Sequence, residues 1–345
     1  MDIINTSVRQ RETYQVKLSA SLLWECALGI AAITNTQLLD TLEKPLSQVN
    51  KSLPGTLLRE LDYVQKNNTW KTLLQLLHEK ECMTLDSFTT YIDELPEIEL
   101  RTIAIPFTGF HHEETRKEAA KGNDHALHTL KLITASNPFF PSYIEFISKV
   151  EIKELKRHLV HVMSEWHHTY LSSQEERLDN ILKRDVASKK QMHGKLKPEA
   201  FVEWATGGVT YLPEPSVQNV LLIPQYIYRP WTLEADIAGT KVFYYPVTNE
   251  SINPDDKYAP NYFLVQKHKA LGDEVRLRMV KLLSEKARSL QDITSILGLG
   301  KSTVHHHLKI LRSARLVDVE NATYFLKMHA VAALSQELDH YLWDN

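Results

Sequence analysis

Gly298, Leu299 and Gly300 stand between two short amphipathic stretches, and this spacing constrains the chain more than any other feature. A glycine just past the last apolar residue of a helix supplies the left-handed backbone that ends it. Upstream, Leu290, Ile293 and Leu297 recur at helical spacing, with Ser289 placed to cap the helix and Asp292 three residues on. Downstream, Ser302 and Thr303 open a second helix in which Val304, Leu308 and Leu311, at i, i+4 and i+7, make one buried stripe. Thr303, His305, His306 and Lys309 fall largely off that stripe and carry donors and acceptors suited to phosphates and base edges. Strand-like runs at 316–319 and 322–326 follow, around Glu320-Asn321. The pattern predicts a helix-turn-helix with a wing, against the blander reading of a solvated helical hairpin in a larger all-α core.

Several short matches sit in fixed order around that turn. They are Ala270-Leu271-Gly272-Asp273 with Arg276-Leu277, then Ser302-Thr303-Val304, then His306-His307-Leu308-Lys309 with Leu311. Together they resemble the DNA-binding domain of the ArsR/SmtB transcriptional regulators, over roughly residues 261–345. The resemblance implies a homodimer on double-stranded DNA, with the helix from about Ser302 in the major groove, and it favours repression. Lys301, Ser302, Thr303, His305, His306, Lys309 and Arg312 are the expected DNA-binding residues, with Arg315 as a further cation. The first 260 residues show no comparably specific match.

The chain also departs from that family's pattern. Where members carry metal-binding cysteines before the turn, this chain has Ser289 and Gln291, so soft-metal sensing there is not expected. A second family metal pattern, Asp-x-His and His-x-x-Glu, survives only as His329 and His340, with Lys327 and Trp343 at the flanking positions. Two ligands of four make a leftover half-site or plain interface histidines the expectation. The wing tip carries no Arg or Lys, and Asp318 and Glu320 would repel phosphates.

With 345 residues, the chain has room for two or three domains with real cores. Residues 261–345 hold 12 Lys and Arg against 9 Asp and Glu, while the rest holds 28 against 34. A mildly basic module on an acidic body suits a DNA-binding unit carried by another domain. Cys26 and Cys82 are too few for a secreted disulfide scaffold. The most apolar stretch, 22–33, is too short to span a bilayer. A cytoplasmic protein without membrane contact is therefore expected.

From residue 21 to about 205 the periodicity is helical, near 22–33, 36–42, 55–65, 70–79, 87–95, 116–135, 141–171 and 174–183. Residues 183–197 are charged without a clear stripe and read as an exposed connection. Tyr14–Leu18 reads as an extended strand, and 217–228 and 240–247 as two strands joined by a turn region at 236–239. The expectation is mainly α with a minor β element: a helical body over 1–205, a small β element over 206–255, and a winged helix-turn-helix over 261–345.

His158, His161, Glu165 and His168 lie along one face of the 141–171 segment, but one straight helix does not supply a tetrahedral set, so a polar face is favoured. His111-His112 with Glu113-Glu114 falls in a loop and reads as solvated. The aromatics Tyr226, Tyr228, Trp231, Phe243, Tyr244 and Tyr245 read mostly as core, and some as the wall of a pocket for a small organic effector. No GxGxxG, P-loop, GxSxG or CxxC pattern is present, so neither catalysis nor a cofactor is expected. The alternative is a small-molecule-binding or enzymatic N-terminal domain whose winged helix mediates protein contacts.

Overall fold

The computed structural model describes residues 13–343 except 37, 44, 45, 50, 51 and 257; the side chains of residues 40, 47, 48, 329 and 340 are also outside the description. Strand β1 (Gln15–Leu18) precedes a helical series. Its members are α1 (Leu22–Thr34), α2 (Leu46–Val49), α3 (Gly55–Asn67), α4 (Trp70–Glu79), α5 (Leu85–Glu94) and α6 (Glu97–Ala104). Next come α7 (Glu113–Ala120), α8 (Asp124–Ile133), α9 (Phe140–Lys149), α10 (Ile152–Trp166), α11 (Glu175–Met192) and α12 (Pro198–Thr206). Strands β2 (Asn219–Gln225), β3 (Leu233–Ile237) and β4 (Thr240–Pro246) follow, then α13 (Asn249–Ile252), α14 (Tyr262–Leu271) and α15 (Glu274–Glu285). The chain closes with β5 (Arg288–Ser289), α16 (Leu290–Leu297), α17 (Lys301–Ser313), β6 (Val317–Glu320), β7 (Thr323–Leu326), α18 (Met328–Ala332) and α19 (Leu334–Trp343). The protein is mainly α with a minor β element.

Helix α1 is apolar on every side, from Leu23 and Cys26 through Ile33, and is accordingly buried at the centre of the body. Its single acid, Glu25, is also buried and accepts the Tyr226 backbone N–H at 2.9 Å. The sheet runs in the order β1-β2-β4-β3, with β1, β2 and β4 mutually parallel and β3 antiparallel on the edge. One face, including Ile223, Val242 and Tyr244, joins the helical core. The other, with Val220, Leu222, Phe243 and Tyr245, packs on Phe201 and Val202 of α12 and on Tyr14. Burial on both faces explains why these strands read as continuous apolar runs.

Four sequence expectations change here. The 116–135 segment is two helices, because Asn123 starts α8 by accepting the Ala126 N–H at 3.0 Å. The 141–171 segment breaks at Val150, whose extended backbone (φ −62°, ψ 141°) ends α9, and Glu151 caps α10 at 2.8 Å. Residues 183–192 are helical and not an exposed connection: Asp185, Val186 and Lys189 are buried against the sheet region. The stretch between the two expected strands holds a third, β3, which ends inside the 236–239 turn region and pairs with β4 in the register Leu233↔Tyr244 to Ile237↔Thr240.

The C-terminal unit has its own core of Met279, Leu283, Ile293, Val304, Leu308, Leu311, Leu316 and Val317. It is seated on the body through α14. Phe263 lies against Gly207, whose left-handed backbone (φ +71°) ends α12; a Cβ there would come within 1.9 Å of the Phe263 ring. Tyr262 lies under the buried Arg229 guanidinium, 4.0 Å from it. Arg229 in turn donates to Glu43 (2.7 Å), the Val247 carbonyl (2.9 Å) and Asn249 Oδ1 (2.7 Å). Among the described residues no helix is long and apolar enough to cross a membrane.

Candidate nucleic-acid interface

The two helices of the turn are fixed by their ends. Ser289 accepts the Asp292 N–H at 3.1 Å while Asp292 accepts the Ser289 N–H at 3.0 Å, a reciprocal cap at the start of α16. Gly298 closes α16 at φ +66°, its N–H bonded to the Thr294 carbonyl at 3.0 Å. Helix α17 starts at Lys301, one residue before the expected Ser302, with Gly300 as its cap position. Ile293 of α16 and Val304, Leu308 and Leu311 of α17 are all fully buried, so the helix pair is locked by the predicted stripes.

That packing sorts the sequence-predicted residues. Lys301, Ser302, Thr303, His305 and His306 are exposed together on the first two turns of α17. Lys309 and Arg312, further along, are half-buried. Partial burial, and then the charges of Lys309, Arg312 and Lys301, push His305 below the ordinary histidine range, which marks this end of α17 as a cationic surface. His307 points the other way: its ring is 3.5 Å from Arg276 and 3.9 Å from Asp273.

The Gly272–Asp273–Arg276 signature has a structural task. Asp273 caps α15 by accepting the Arg276 N–H at 3.0 Å. The Arg276 side chain returns to the end of α14, donating to the carbonyls of Ala270 (2.6 Å) and Lys269 (3.1 Å). A cation on the last carbonyls of a helix satisfies orphan acceptors and opposes the helix dipole.

Arg315 is placed differently from the sequence expectation. It adopts φ +60° just after α17 and turns into the body, donating to Thr232 Oγ1, with its Nε buried and unpartnered. Arg312 lines the same polar crevice of about 180 Å³ between the two units. Lys327, at the family's metal-ligand position, donates to the Gly208 carbonyl at 2.5 Å. Contact with a remote element leaves no local periodicity, so sequence spacing carried no signal for these roles. The side chains of His329 and His340 lie outside the described residues.

The other histidines do not converge. His158 is buried between Thr69 Oγ1 (2.8 Å) and Glu60 (2.5 Å), a satisfied core histidine, while His168 sits beyond α10 in a π-helical turn over His167–Leu171. His111 and His112 form a short 3-10 turn, and Glu113 starts α7 paired with Arg116 at 2.8 Å. Tyr228, Phe243, Tyr244 and Tyr245 are core, each no more than 3% exposed.

Residues 273–319 match the family model described as bacterial regulatory protein, arsR family. No curated protein and no solved structure matches the chain. The matched span runs from the cap of α15 through α16, the turn and α17 into the wing, so the C-terminal unit is an arsR-type helix-turn-helix.

Proposed function

We propose that this protein is a transcription regulator that binds duplex DNA through α17 and represses from a symmetric operator as a homodimer. The observation that carries the reading is the exposed polar end of α17, Lys301 to His306, within the span that matches the arsR-type model. A helix N-terminus offering hydroxyls, imidazoles and a lysine suits phosphates and major-groove base edges. In this reading Lys301, Lys309 and Arg312 supply charge, Ser302 positions the helix, and Thr303, His305 and His306 read bases. The acidic wing strand carrying Asp318 and Glu320 leaves the recognition helix as the main contact.

The homodimer is read from α19 more than from α14, because Tyr262, Phe263 and Leu264 of α14 are buried and Phe263 and Tyr262 rest on the body. Leu342 and Trp343, at the end of α19, are 53% and 76% exposed and offer an apolar surface to a second copy. The body serves as the signal-input module. Control is read as metal-independent: Ser289 is committed as a helix cap, and the second thiolate position is Gln291.

An electrophoretic shift with the protein's own promoter region, repeated across a salt series, tests the reading. Thr303→Ala and His305→Ala are each expected to cost about 1–3 kcal/mol and relax sequence preference. Lys309→Ala should weaken all sequences alike and lower the slope of log K on log salt by about one. Normal operator protection by the double variant Thr303→Ala, His305→Ala in a footprint would refute base readout by α17.

A further inference from the structure

Three cations of the winged unit, Arg312, Arg315 and Lys327, line the polar crevice of about 180 Å³ on its seam with the body. Both units supply its walls, Gly208, Thr210 and Thr232 on the body side and Ser313 and Val317 on the other. Arg315 donates to Thr232 Oγ1, and Lys327 donates to the Gly208 carbonyl at 2.5 Å. Both acceptors are neutral. Arg312 is half-buried beside them, and among the described residues none of the three cations forms an ion pair.

Two carboxylates share the lining, and both are exposed and engaged elsewhere. Glu234 pairs with Lys241 at 3.0 Å, and Asp318 accepts the Val319 N–H at 2.8 Å. Glu203, in the adjoining crevice, adds a further negative charge acting on Lys327. Burial outweighs these acids. It lowers the Arg315 guanidinium to about 10 and holds Lys327 below the ordinary lysine range. Charge withdrawn from water without a close counterion is costly, and an anion entering the crevice offsets that cost. The exposed carboxylates are screened by solvent far more than the seam cations are.

We propose that this crevice binds one small oxyanion of the phosphate or sulfate class, held between the two units by Arg312, Arg315 and Lys327. Size and chemistry select the class together. A cavity of about 150 Å³ holds a single benzene ring, so this one admits a small ion and excludes a nucleotide. Guanidinium forks match the several oxygens of a tetrahedral oxyanion, which chloride lacks. A DNA backbone presents the same group, but its flanking sugars would have to enter the space between the body and the winged unit. A free ion is therefore the occupant. The site does not depend on the function proposed above.

Phosphorus NMR of inorganic phosphate, titrated with the full chain in the absence of DNA, tests the site. Ionic strength is held constant with sodium chloride, so that general attraction of anions is common to every sample. Phosphate is expected to saturate with Kd below about 1 mM, and sulfate to displace it. Lys327→Gln and Arg312→Gln should each lose about tenfold in affinity, while Arg315, the most buried of the three, is left intact to protect the fold. Lys281→Gln, which removes an exposed cation of α15, should change nothing. Absence of saturation, undiminished binding in either seam variant, or an equal loss in Lys281→Gln overturns the proposal. Lys327→Gln is also expected to bind duplex DNA as the native chain does. A parallel loss of duplex and phosphate affinity would assign the crevice to the DNA backbone and overturn the free-ion site. With no DNA in the phosphate titration, its failure leaves the promoter-binding reading standing, and a failed promoter shift leaves this site standing.

Discussion

At the wing tip Asn321 and Ala322 both have positive φ, 47° and 60°, so that Glu320 pairs directly with Thr323 across a two-residue loop. That hairpin loop suits Asn followed by Gly, because the left-handed region costs an L-residue with a Cβ about 1–2 kcal/mol. Ala322→Gly is therefore expected to raise the denaturant midpoint by an amount equivalent to about 1 kcal/mol, with an unchanged m slope. A lower midpoint would show that the alanine methyl contributes contacts outweighing the backbone cost. Asn321 was legible as a turn residue from its type alone, whereas the positive φ of Arg315 was not. Arg315 has no turn chemistry of its own, and its backbone follows from the seat of its side chain in the body near Thr232.

Among the elements, α4 and β4 are joined by the His78–Tyr244 hydrogen bond. Burial lowers His78 from an ordinary 6.5 to about 4, so between those values the unfolded chain binds more protons than the folded one. Stability contributed by this site is complete above pH 6.5 and is lost as pH falls toward 4, about 3 kcal/mol at most. Urea midpoints measured from pH 7 to 4.5 should fall, and His78→Gln should flatten that dependence. An equally steep profile in the variant would assign the acid sensitivity elsewhere. The helical periodicity located α4 and α1 well, since their apolar spacing is set by one buried face or by burial on every side. It failed at 183–192, where Asp185 and Lys189 are buried. There Asp185 accepts from the Tyr245 hydroxyl (2.8 Å), the Thr248 N–H (3.0 Å) and the Ser251 hydroxyl (3.0 Å), so polar partners replace the apolar stripe.

For the molecule as a whole, helix α11 spans the distance between a cavity of about 700 Å³ in the body and the link to the winged helix. Glu175, Asp179 and Lys183 line the cavity, and Asp185 holds the segment around α13 that leads into α14. The two units are then clamped by Arg229 over Tyr262 and by Phe263 against Gly207. Arg229→Ala leaves a buried carbonyl and the Asn249 amide oxygen without their donor and should cost about 3 kcal/mol, read from the thermal or denaturant transition. Gly207→Ala should be severe in the native chain and speed limited proteolysis within 253–261. In a Phe263→Ala background only its backbone cost, about 1–2 kcal/mol, should remain. Full additivity of the two substitutions would mean that they do not share this contact.

The sequence alone determined the C-terminal unit because its information is local: a capped helix, a glycine turn, an apolar stripe and a short hairpin each act within a few residues. Its exposed polar set, Lys301, Ser302, Thr303, His305 and His306, followed from the same stripe, since what faces away from Val304, Leu308 and Leu311 must face solvent. Tertiary structure decided the rest. Parallel pairing of β1 with β2, across some two hundred residues of chain, has no local signal. Neither does the recruitment of Arg315 and Lys327 to the body, nor the cavity around Trp24 and His167. Those features arise where elements distant in sequence pack together, and only the packed chain brings their residues within hydrogen-bonding reach.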